Sequence, residues 1–185
     1  MKRLLLFILL VLVSPIQAAE IVAVHVERQD SIYRLTLHAR LQASTRDIEA
    51  IITDYAHLME INPFLKENRI EESDDENGTL VHLVTESCVL IFCREMRHDQ
   101  RFQPMRGGVL VAEIVPEASD LKSGRMIWTV KPYGAGSELV MESEVTPDFV
   151  VPPVIGPYFM EKKLQEIALS TIQNIERVAA ERAGR

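Results

Sequence analysis

The last thirty residues constrain this fold most. Leu164, Ile167, Ala168, Thr171, Ile172, Ile175, Val178 and Ala179 recur at steps of three and four without a break. That spacing places them on one face of a helix. Gly156 and Pro157 suit its start, because proline is tolerated at the first helical position. From Pro157 to Ala180 such a helix is about 36 Å long. An apolar face of that length has to be covered, and a sheet is the surface that covers it.

The chain ahead of it supplies the strands. Ile21 to Glu27 alternates apolar and charged residues, and Ser31 to Leu41 does so again, with a turn at Gln29-Asp30. They read as a strand pair or one bent strand. Ser44 fits a helix N-cap with Asp47 in the first turn, and Ile48, Ile51, Ile52 and Tyr55 form one helical face. Leu58, Met59 and Ile61 extend it into a second short helix or turn, closed by Asn62-Pro63. Then the pattern is β: Leu65–Glu71, Leu80–Ser87, Arg94–Phe102, Val109–Val115, Arg125–Lys131 and Glu138–Val145. Turn residues separate these runs: Asn77-Gly78, Gly107-Gly108, Pro116 to Gly124, and Gly134 to Gly136. A series of short strands joined by turns predicts an antiparallel meander. The fold class is therefore α+β: a curved antiparallel sheet around a long C-terminal helix, with a short helical pair near the N-terminus.

Residues 1–18 read as a signal peptide rather than as part of this fold. Lys2 and Arg3 precede an unbroken apolar run from Leu4 to Val13, and Ile16 to Ala19 offers a small-residue cleavage site. The run is too short for a spanning helix, which needs about 20 apolar residues. An uncleaved anchor is the alternative. No cysteine lies near the cleavage site, which excludes a lipoprotein. Residues 19–185 are then one exported domain, periplasmic or secreted. Loss of Lys2 and Arg3 takes the formal charge from −7 to −9. An acidic domain argues against nucleic acid, whose binders carry a basic patch.

Export changes the reading of the two cysteines. Cys88 and Cys93 bracket Val-Leu-Ile-Phe. An oxidising compartment favours a disulfide, feasible if the segment is a hairpin with a four-residue loop. Two buried free thiols on a continuous strand are the alternative. The spacing is not that of a C-x-x-C redox centre. The tip would then be Val89, Leu90, Ile91 and Phe92, where turns normally carry glycine, asparagine or proline. Such a tip has to be covered, face a cavity or touch an apolar partner.

This order of elements resembles the START-like, or SRPBCC, superfamily, whose helix-grip fold is shared by lipid-transfer domains, plant PR-10 proteins and polyketide cyclases. The nearest likeness is to the Coq10/polyketide-cyclase branch. It rests on Ile51-Ile52-Thr53-Asp54-Tyr55-Ala56-His57-Leu58, closed by Ile61-Asn62-Pro63-Phe64, and on Pro147 to Pro157 before the last helix. The latter segment resembles exported bacterial members. The resemblance implies an apolar cavity between sheet and helix that binds a hydrophobic small molecule, a lipid or quinone, with no cofactor. The signal peptide and the cysteine pair set this chain apart from intracellular members.

Chemistry-bearing residues are scattered. His25, His38, His57, His82 and His98 form no metal-ligand spacing, and no nucleophile elbow, phosphate loop or dinucleotide motif is present. Asp54, His82 and His98 are the acid/base candidates for a cyclase/aromatase reading, which requires two of them to face one cavity. The run from Glu71 to Glu76 lacks the alternating ligands of a calcium loop and reads as a solvated hairpin tip.

A binding role draws on apolar loops and adaptable side chains. Phe149, Ile155, Tyr158 and Phe159 sit in a proline-stiffened connection, where a polar surface is the rule. They are cavity-rim candidates, together with Tyr55 and the hairpin residues Leu90 and Phe92. Met126, Trp128 and Met141 are candidates for cavity lining or core, as are Tyr133 and Met160. Arg125 or Lys131 is the candidate for a ligand head group. The expected state is a monomer, with transient membrane or protein contact through the apolar loops. An interaction module with a filled core is the third reading.

Overall fold

The computed structural model describes residues 19–74, 76–89, 92–151 and 156–184. Eight strands form one antiparallel sheet: β1 (Glu20–Gln29), β2 (Ile32–Leu41), β3 (Leu65–Asp74), β4 (Gly78–Val89), β5 (Phe92–Phe102), β6 (Val109–Val115), β7 (Leu121–Tyr133) and β8 (Gly136–Pro147). Their order in space is β1-β2-β8-β7-β6-β5-β4-β3. The meander from β3 to β8 is unbroken, and β2 joins it through β8. Helix α1 (Thr45–Ile52), a 3-10 turn (Tyr55–His57) and α2 (Leu58–Ile61) carry the chain from β2 near one edge to β3 at the other. Helix α3 (Gly156–Ala183) follows β8. This is the expected α+β architecture.

The alternation along β2 shows why the sheet has an inside. Tyr33, Leu35, Leu37, Ala39 and Leu41 are buried, and the residues between them are not. Successive strand side chains point to opposite faces, so one face is apolar by construction. Ser44 caps α1 as expected, its hydroxyl accepting the Asp47 N–H at 3.2 Å. The helix stops earlier than its apolar spacing suggests. Thr53 turns its N–H and its hydroxyl back onto Glu49 O, and Asp54 leaves the helical region. Short polar side chains compete with helix hydrogen bonds in this way. Tyr55 therefore opens the 3-10 turn instead of ending α1.

The hairpin between β4 and β5 differs in one respect from expectation. Cys88 and Cys93 are disulfide-bonded and sit opposite each other, and Val89 still pairs with Phe92. The ladder runs one pair past the cysteines, so the four-residue tip is shorter than the sequence suggests. Residues 90 and 91 lie outside the described residues. At the other end of β4, Gly78 has φ +82°, and a Cβ there would stand 2.0 Å from the Phe102 carbonyl oxygen. The Asn77-Gly78 turn needs its glycine for that reason.

Helix α3 packs mainly on α1, α2, β1 and β2. Its fully buried residues begin only at Ala168 and continue through Thr171, Ile172, Ile175, Glu176, Val178 and Ala179. The N-terminal third of the helix buries no residue completely. Among the described residues, no helix is long and apolar enough to cross a membrane. The leader read at 1–18 lies outside the described residues.

Candidate functional site

Because α3 leans toward β1 and β2, its N-terminal half leaves a hollow over the middle of the sheet. The cavity measures about 210 Å³. Leu164, Ile167, Ala168 and Thr171 of α3 form one side, and Leu58, Ile61 and Asn62 close the end under α2. Met126 and Trp128 of β7 lie against Met141 and Ser143 of β8. The wall facing them comes from β4 and β5, with Leu83, Thr85, Met96, His98, Gln100 and Phe102, and further residues of β2, α1, β3, β6, β7 and β8 complete the lining. Most of this lining is apolar, as in small-molecule sites generally.

The candidates from sequence divide. Met126, Trp128 and Met141 are in the wall. Tyr55 is not: its ring stacks on Phe102 at 4.6 Å, and Phe102 is the lining residue. Burial pushes the Tyr55 hydroxyl up to about 12. Phe149 lies under the Arg94 guanidinium at 4.1 Å, which ties the segment after β8 to the disulfide hairpin. Tyr158 is exposed with Lys162 Nζ 4.8 Å from its ring centre, and Phe159 meets it edge-on at 5.6 Å. Phe92 is placed by its backbone opposite Val89, and Leu90 and Ile155 lie outside the described residues. Tyr133 is exposed with Arg40 over its ring, away from the cavity. Arg125 borders the cavity by strand position, and its guanidinium meets Glu113 at 3.5 Å on the exposed side.

The three acid/base candidates do not converge. His98 faces the cavity and is 8% exposed. Burial, reinforced by the nearby His82, lowers its imidazole to about 4. It is therefore neutral at ordinary pH. His82 takes the opposite face, one residue out of phase, and its Nδ1 is 2.6 Å from Asp99 Oδ1. Asp54 sits outside the cavity wall, hydrogen-bonded to His57 at 2.7 Å and Arg182 at 2.9 Å. Burial alone would raise its pKa, but these two partners outweigh it and hold the carboxyl low. The two-group site that a cyclase reading requires is not formed by these residues.

Sequence reasoning missed the polar part of the wall, Thr85, Gln100 and Ser143. Its signal is the alternation Met96, His98, Gln100, Phe102, which puts polar groups at inward positions. The acidic run forms a tip as expected: Asp74 accepts the N–H groups of Glu76 and Asn77 at 2.6 and 2.9 Å. Among the described residues, no group of three or more histidine, cysteine or acidic side chains is placed to hold a metal ion.

No family model and no curated protein matches the sequence. Solved structures do. The Zhui aromatase/cyclase from a Streptomyces species superposes with a TM-score of 0.67 at 13% identity, over 82% of this chain and 96% of that one. A START superfamily protein from Mycobacterium smegmatis gives 0.64 at 16%, over 78% and 98%. A STAR-related lipid transfer protein from Xanthomonas axonopodis gives 0.61 at 12%, over 85% and 98%. The chain thus has the START-like helix-grip fold that its element order resembles.

Proposed function

We propose that this protein binds a hydrophobic small molecule, of lipid or quinone type, by burying it without covalent chemistry between the sheet and the N-terminal half of α3. The observation that carries this reading is the cavity itself: the fold has a complete core beside it and still leaves the hollow unfilled. An apolar cavity of about 150 Å³ is known to hold benzene. A volume of about 210 Å³ accommodates a ring or the end of one chain, and a longer ligand extends out past α3. The neighbours named as a lipid transfer protein and an aromatase/cyclase support a small-molecule role for the fold. The leader-like residues 1–18 and the Cys88–Cys93 disulfide support action outside the cytoplasm, as a binder or carrier.

Native mass spectrometry of the protein purified from its own host tests this. A bound apolar compound, extractable into organic solvent, is the expected result. An Ala168→Phe variant, which places a ring in the cavity, should emerge empty while keeping its fold by circular dichroism. Ligand-free wild type that also fails to take up a fluorescent apolar probe would refute the reading.

A further inference from the structure

The sheet ends in two edges, and they are not alike. Among the described residues, β1 pairs only with β2, and β3 only with β4. An unpaired edge is a row of free N–H and C=O groups, which charges and bulges guard against pairing with another chain. β3 carries such guards. Lys66, Glu67, Arg69, Glu71, Glu72 and Asp74 stud it, and its ladder shifts register twice. The Asn68 amide also donates to Tyr55 O at 2.8 Å, which brings the 3-10 turn against this edge. β1 has one shift, between Ile21 and Ala23, and from there to Gln29 its register is regular. Val24 and Val26 lie opposite the buried Leu37 and Leu35, so they face inward. Both are only half-buried, because the core thins out at this edge. His25 and Glu27 point the other way and are exposed.

We propose that this edge pairs with a second copy of the chain, β1 antiparallel to the partner's β1, so that the sheet continues through a two-fold axis. Directly opposed residues in an antiparallel pair share a face, so the axis passes beside one residue. The side chains select which one. An axis at His25 or at Glu27 sets that residue against its own copy, and the latter is a like-charge pair. An axis at Val24 sets Glu27 against the partner's Ile21 and runs the ladder across the irregular step. An axis at Val26 uses only the regular stretch from Ala23 to Gln29. It sets each His25 opposite the partner's Glu27, where the imidazole donates to the carboxylate. On the inner face Val26 meets its own copy, and the stem of Arg28 covers the partner's Val24. β1 contributes nothing to the cavity lining, so this dimer stands apart from the ligand-binding reading. It replaces the monomer expected from the sequence.

One strand pair is a small interface, so a dissociation constant of about 10–100 µM is expected. Sedimentation velocity of the full mature chain at neutral pH, from about 5 to about 500 µM, spans that range. Dimer should accumulate as the concentration rises. Amide hydrogen exchange of wild type locates it without a variant: Ala23 to Gln29 should gain protection with concentration, and β3 should not. His25→Glu sets two like charges across each symmetric contact and should weaken the dimer about tenfold. Adding Glu27→Lys restores opposite charges and should recover most of that loss. Both positions are exposed, and circular dichroism should show both variants folded. A chain that stays monomeric throughout overturns the inference, as does a dimer whose added protection lies outside β1. A dimer indifferent to His25→Glu, or weakened by it and not rescued by Glu27→Lys, overturns it as well.

Discussion

The two halves of α3 face the same sheet and do different things. From Ile172 onward the helix shares a filled core with Leu37, Ile48 and Leu139, all fully buried. Toward its N-terminus, Leu164 and Ile167 are only half-buried and border a hollow. The difference lies in the supports. Arg177 donates to Glu60 O, Asn174 to Ile61 O and Arg182 to Asp54, so the C-terminal half is tied to the helical pair. The N-terminal half makes no such hydrogen bond among the described residues; its side-chain contact there is Lys163 Nζ, 4.4 Å over the Phe64 ring. A helix clamped along one half can bridge a cavity with the other, because its own backbone hydrogen bonds keep it straight across the span.

The largest expected effect probes that contrast directly. Ile175→Ala should lose about 3–4 kcal/mol in urea unfolding, because the packed half cannot collapse around the void. Ile167→Ala, at a half-buried position beside existing space, should lose about 1 kcal/mol. Equal losses would mean that the two halves are packed alike.

A second test uses His98, which belongs to the hollow half. Its pKa of about 4 lies below the ordinary 6.5. As pH falls, the unfolded chain takes up the proton before the folded one does. Stability is therefore undiminished above about pH 6.5 and declines down to about pH 4, by about 3 kcal/mol in all. His98→Leu should remove that part of the pH slope in thermal unfolding. His57, which Asp54 pushes in the opposite direction by hydrogen bonding, remains in the variant and serves as the internal control. A slope unchanged by the substitution would show that His98 is not a buried neutral imidazole.

The smallest effect lies in the packed half. Glu176 is buried on α3, and both its oxygens accept the Gln42 N–H, at 3.0 and 3.2 Å. Burial raises its carboxyl pKa, and the Gln42 amide offsets part of the rise. A raised carboxyl pKa leaves stability intact below about 4.5 and removes some of it as pH rises through the folded value. Glu176→Gln keeps an acceptor for Gln42 and removes the charge. It should gain up to about 1 kcal/mol at pH 7 and nothing at pH 4. A loss at pH 7 would show that the charge itself holds β2 to the helix.

Much of this fold is legible in the residues. The period of two in β2, the Ser44 cap, the glycine turns and the unbroken face of α3 each express a local preference that tertiary packing reinforces. The site is less legible, and β5 shows why. Its outward residues Arg97, Asp99 and Arg101 are charged, and its inward ones include His98 and Gln100. With polar groups on both faces, alternation loses its contrast, and the inward histidine looks like any other. Asp54 and His82 misled in the complementary way. Each has an ordinary local role, in a turn and on an outer face, that only the position of Arg182 and Asp99 reveals.

The sequence by itself determined the order of elements and the sheet's apolar face, because propensity and period along the chain are local properties; it favoured a Cys88–Cys93 disulfide, and the structure decided for it over two free thiols. Tertiary structure alone decided where α3 is clamped, and so where the hollow opens. It also decided that, of three candidate acid/base groups, His98 alone faces that hollow. Those outcomes depend on contacts between residues a hundred or more positions apart, such as Asp54 with Arg182 and Glu60 with Arg177. No local pattern encodes such contacts.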